Sequence, residues 1–172
     1  MSNETTTTVQ DEKTDAAMQH ANCNLMSLLK RLDETDPVRT QTLMHHLYQS
    51  DTMARAGLWD AAANEACSAL DALVDAVLRR VFDLSEQTER PPATSFTSRR
   101  RALFDLGVTG RADNQLLVAA FQTASCKDTK ALGIDAVWSS TARRLVLTAA
   151  THLLARYNAW RERAEGTTTV AT

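Results

Sequence analysis

The stretch Asp60-Ala61-Ala62-Ala63-Asn64-Glu65-Ala66-Cys67-Ser68-Ala69-Leu70-Asp71-Ala72-Leu73-Val74-Asp75-Ala76-Val77-Leu78-Arg79-Arg80-Val81 decides the fold. Ala63, Ala66, Cys67, Leu70, Leu73, Val74, Val77, Leu78 and Val81 follow the helical period and form one apolar stripe. Glu65, Ser68, Asp71, Asp75 and Arg79 fall on the opposite side. Asp60 is placed to cap the helix. Asp75 and Arg79 form an i,i+4 pair worth about 0.3 kcal/mol. A helix this apolar on one side must lie against other helices.

The same period extends outward in both directions. Before the stretch, Met18, Ala21, Leu25, Leu28, Leu29 and Leu32 predict a helix over 15–32. Asp36-Pro37 predicts a second start, because Asp caps and Pro suits the first helical position. That helix carries Val38, Leu43, Leu47 and Met53 and stops at Gly57. After the stretch, residues 83–97 read as a linker around Pro91 and Pro92, where two prolines stop helix. Shorter helices are expected over 98–105 and 112–125, divided by Gly107 and Gly110. Residues 126–138 read as a loop. A last helix is expected from Ser139 or Ser140 to about Ala164, apolar over a wide arc. Residues 1–14 and 166–172 are Thr-rich, lack apolar periodicity and read as disordered tails. The expectation is an all-α bundle of five to six helices forming one domain over 15–165.

Composition agrees with a single helical domain. The chain has 172 residues, with 44% hydrophobic and 23% charged residues, 5 Gly and 3 Pro. Its apolar runs are too short to span a membrane. The start Met1-Ser2-Asn3-Glu4-Thr5 does not read as a secretory signal. Cys23, Cys67 and Cys126 then read as reduced thiols in a cytoplasmic protein, Cys67 in the core. The cysteines and His20, His45, His46 and His152 form no zinc pattern, so no metal site is expected. The formal net charge of −2 hides a balance of −7 over residues 1–90 and +5 over residues 91–165. Such asymmetry marks either a nucleic-acid face or two oppositely charged halves that pack together.

Motifs for cofactors and common catalysis are missing. The sequence has no G-x-x-x-x-G-K-[ST], G-x-G-x-x-G or G-x-S-x-G, so no cofactor is expected. Arg99-Arg100-Arg101 opens a helix, where positive charge is mildly unfavourable and a phosphate or acidic partner would relieve it. Trp59, Trp138 and Trp160 are too dispersed for a base-stacking platform and read as anchors of helix ends.

The segment from Ala54 through Gly57-Leu58-Trp59-Asp60 to Ala66-Cys67-Ser68-Ala69-Leu70-Asp71 resembles the helix-turn-helix entry of HEPN domains. The signature there is a helix, a Gly with an aromatic or acidic residue, and then A-x-x-x-A-x-x-A-L-E, whose last element is Ala69-Leu70-Asp71 here. Residues 139–154 resemble the closing helix of the abortive-infection C-terminal branch of that family. The resemblance covers Gln41 to Arg161 and implies a two-fold homodimer in phage defence or a toxin–antitoxin pair. Catalytic members cleave RNA without metal, using an Arg followed four to six residues later by His before the last helix. The corresponding residues 124–133 contain neither. Lys127 and Lys130 there, with Arg143 and Arg144 at the start of the next helix, remain as a phosphate-binding set. The resemblance therefore implies a non-catalytic module that binds a protein partner or RNA.

Two alternatives stand beside it. One is a metal-independent ribonuclease using Arg39 with His45 or His46, or Arg144 with His152. Arg39 precedes His45 by six positions, but fifteen arginines and four histidines give roughly one such match by chance. Arg144 and His152 are expected near one helix face, with His152 turned into the bundle. The other alternative is a small structural protein of a viral or microcompartment assembly.

Overall fold

The computed structural model describes residues 25–30, 32, 34, 36–85, 94–125 and 136–168. They form an all-α bundle. Residues 25–30 belong to the first helix, α1. It is followed by α2 (Pro37–Arg55), α3 (Trp59–Leu84), α4 (Phe96–Asp105), α5 (Arg111–Ala124) and α6 (Ala136–Thr168).

Local chemistry sets most of the helix ends. Asp36 caps α2 as expected, its carboxylate accepting from the Arg39 backbone N–H at 3.3 Å, with Pro37 in the first turn. The chain leaves α2 through Gly57, at φ +74°, where a side chain would be strained. Asp60 does not cap α3. The capping position is Leu58, which makes no side-chain bond, and Asp60 lies in the first turn, where its charge still suits the helix dipole. α4 starts at Phe96, two residues before its expected start. Ser95 accepts from the Ser98 backbone N–H, and the Ser98 hydroxyl accepts from the Ser95 N–H. The expected linker 83–97 therefore shrinks, since α3 continues through Leu84. Its central residues, 86–93, lie outside the described residues, as does the expected tail 1–14.

The last helix departs most from expectation. Ser139 is not a cap: α6 starts at Ala136, and the buried Ser139 hydroxyl donates to the Trp59 carbonyl at 3.0 Å. Trp138 is 39% exposed and does not anchor the core. At the other end α6 runs to Thr168, so residues 166–168 of the expected tail are helical.

α3 lies at the centre and packs against α2, α4, α5 and α6. Arg39 meets Asp75, His46 meets Glu65, and Ser50 bonds Ala62, so α2 runs antiparallel to α3. Ser139 lies against Trp59 and Tyr157 lies beside Arg80, so α6 runs parallel to α3. Asp113 pairs with Arg156 while Phe121 approaches Cys67, which makes α5 antiparallel to both. Leu70, Leu73, Val74, Val77 and Val81 of α3 and Ala142, Val146, Leu153, Leu154 and Tyr157 of α6 are at most 1% exposed and share one core. Burying each large apolar side chain is worth about 1.5–3 kcal/mol. The apolar arc of α6 is thus covered by α3 and α5 within the chain, which removes surplus apolar surface on α6 as a reason for dimerisation.

Candidate functional site

The polar side chains that converge lie along the seam where α2 crosses α3 and touches α6. On α2, His46 and Ser50 are one turn apart and face α3. The His46 ring Nδ1 lies 2.8 Å from Glu65 Oε2. The Ser50 hydroxyl is buried and donates to the Ala62 carbonyl at 2.8 Å. Arg143 enters from α6, donating from Nε to Ser50 Oγ at 3.1 Å and from Nη2 to Asp51 Oδ1 at 3.0 Å. Arg55 closes the set on the other oxygen of Asp51 at 2.9 Å. The Arg143 side chain is only 13% exposed, so its charge is spent on Asp51.

This geometry redistributes the candidates. Arg143 and His46 come to the same seam, Arg143 on Ser50 and His46, one turn earlier on α2, on Glu65. Arg39 is directed elsewhere: it pairs with Asp36 and lies 3.8 Å from Asp75, near the start of α2. Six residues on a helix turn through about 240°, so Arg39 and His45 point to different sides. His45 is exposed, with only the edge of the His46 ring beside it at 5.9 Å between centroids. His152 is exposed, contrary to the expectation that it turns into the bundle, and so is Arg144, two turns before it on α6. Lys127 and Lys130 lie outside the described residues.

The Arg99-Arg100-Arg101 run also changes meaning. Arg99 bonds Asp71 at 2.5 Å and lies 3.6 Å from Asp75, tying α4 to α3. Arg100 bonds the Asn114 side chain on α5. Arg101 alone stays open, 80% exposed beside Asp105. The oppositely charged halves of the chain thus meet at Asp71, Asp75 and Asp51, which accounts for part of the charge asymmetry. Asp75 is the hub: Arg39, Arg79 and Arg99 all reach it.

Two further features bear on chemistry. Burial and the nearby Asp71 carboxylate push the Cys67 thiol up to about 11, so it stays protonated and inert near neutral pH. A shallow hollow of about 350 Å³ lies over the α2–α3 turn, lined by Gly57, Leu58, Trp59, Asp60 and Ala61. Among the described residues no group of His, Cys, Asp and Glu is arranged to hold a metal ion, and no helix is long and apolar enough to cross a membrane. Sequence reading missed Ser50, Asp51 and Glu65 as members of the seam. The only signal for them was the helical spacing of His46 and Ser50.

The chain matches no family model, no curated protein and no solved structure.

Proposed function

We propose that the chain is a non-catalytic helical interaction module of the HEPN-like kind, acting as a homodimer through a protein partner or RNA. The phage-defence or toxin–antitoxin setting comes from the sequence resemblance alone. One observation carries the non-catalytic part for His45 and His46: the arginines nearest them are held by carboxylates of the fold itself, Arg143 by Asp51 and Arg39 by Asp36 and Asp75, whereas Arg144, the arginine read with His152, stays exposed. An arginine held this way has its charge offset by the carboxylate and its fork aimed at it, which weakens it as a stabiliser of a phosphate in a transition state. The phosphate-binding set narrows accordingly, with Arg144 exposed for binding and Arg143 structural.

The ribonuclease reading keeps one specific support. His46 is oriented through Nδ1 by Glu65, which leaves Nε2 for proton transfer. Incubation with a long single-stranded RNA without metal separates the two readings. No cleavage is expected, and binding, measured by light scattering after size exclusion with and without RNA, should fall steeply with salt if RNA is the partner. Cleavage that disappears in His46→Ala would overturn the non-catalytic reading.

A further inference from the structure

The outer face of the α4–α5 hairpin carries more positive charge than the fold consumes. The hairpin turns at Gly107, at φ +68°. Phe96 stacks on Phe121 with 3.9 Å between ring centroids, and Arg100 bonds Asn114, so the two helices run antiparallel. Phe104 lies about 6 Å beyond Arg100 toward the turn, and Arg111 about 4.5 Å beyond Asn114 in the same direction. Phe104 and Arg111 therefore come level on adjoining ridges. Round α4, Phe104 falls between Arg100, about 40° to one side, and Arg101, about 60° to the other. Phe104 is 42% exposed, which leaves an aromatic surface among three guanidinium groups.

The charges of these three are largely uncompensated. Among the described residues Arg100 bonds a neutral amide and no carboxylate, and its Nε meets no acceptor. Arg111 is exposed and has no carboxylate partner among the described residues. Arg101 lies 3.8 Å from Asp105, and both are exposed. Asp113, the other carboxylate of the hairpin, is buried and held by the Gly110 N–H and Arg156. Three arginines thus share this face with one exposed aspartate.

We infer that this face docks an acidic peptide segment of a protein partner. Carboxylates of the segment pair with Arg100, Arg101 and Arg111, and an apolar side chain between them covers the Phe104 ring. The planar fork of arginine suits two-point contacts with carboxylates. A nucleic-acid strand fits less well. It carries a phosphate at every residue and needs a basic track along its length. The arginine set spans little more than one helical turn, on a chain whose formal net charge is −2. The inference rests on the protein-partner reading above and gives that partner a place and a chemistry.

Titration of the full chain with a fluorescein-labelled Glu-Glu-Leu-Glu-Glu peptide, followed by fluorescence polarisation, tests the face. Saturable binding is expected that weakens as salt is added, with no binding of the Gln-Gln-Leu-Gln-Gln counterpart. Arg111→Glu should weaken binding at least about tenfold and Phe104→Ala about threefold or more. Lys30→Glu, the same charge reversal at an exposed position on α1, should leave it unchanged. Unchanged circular dichroism would establish that the variants fold. Peptide binding that neither Arg111→Glu nor Phe104→Ala disturbs would overturn this face and leave a protein partner docking elsewhere on the chain. A single-stranded RNA of equal charge that binds more tightly than the peptide, and is lost in Arg111→Glu, would give the face to nucleic acid and overturn the inference. A chain that does not bind the peptide at all would overturn it as well, while the RNA incubation above decides the non-catalytic reading separately.

Discussion

α3 is held on its two sides by different physics. Against α6 it presents Leu70, Val74, Val77 and Val81, all fully buried, and the partner side is equally apolar. Against α2 the contacts at the ends and middle are polar: Arg39 to Asp75, His46 to Glu65, and Ser50 to the Ala62 carbonyl. α2 buries only Thr40, Leu43, Ser50 and Ala54. Apolar burial is strong but indifferent to register, whereas a hydrogen bond is weak in net terms but demands one position. The α6 side therefore supplies stability, and the α2 side fixes how the hairpin is aligned.

The largest break should come from the apolar side. Val77→Asp places a carboxylate with no partner in the centre of the core, which costs several kcal/mol and should unfold the domain. Loss of the cooperative thermal transition by circular dichroism would establish this; a variant that melts like the parent would refute the central place of α3. A middle effect is expected from Arg143→Met. The stem volume is kept, while Ser50 and Asp51 each lose a donor, at a cost of about 1–3 kcal/mol in urea unfolding. The smallest effect is expected from His46→Gln, which removes a partly exposed pair worth less than about 1 kcal/mol. If His46→Gln destabilised as much as Arg143→Met, the polar side would be holding α3 more firmly than its exposure allows.

The contrast also explains what could be read from the sequence. The stripe from Ala63 to Val81 is a local property, since its period is written in consecutive residues, and the central helix follows from it. Asp36-Pro37 is local in the same sense. Ser139 misleads because a serine before an apolar run looks like a cap. Its actual partner, the Trp59 carbonyl, lies 80 residues away. Arg143 was legible as a cation but not as a spent one, because Asp51 is 92 residues distant in sequence. His46 and Glu65 are 19 apart and meet only once α2 folds back on α3. The start of α4 moved because Ser95 and Ser98 both carry cap chemistry, and only the reciprocal bonds between them decide which is outside the helix.

The parallel course of α3 and α6 has a consequence for synthesis. α2 and α3 can zip together as soon as both have left the ribosome, because they are neighbours joined by a short turn. The α6 side of α3 must wait while some 80 further residues are made, the separation of Trp59 from Ser139. At ~5–20 residues per second that delay is several seconds. Throughout it the Leu70–Val81 stripe has no covering helix on that side. Neighbouring ribosomes on one message would then hold identical uncovered stripes close together. The interval before α6 emerges is when this chain is most open to sticking to its own copies or to being held by a chaperone.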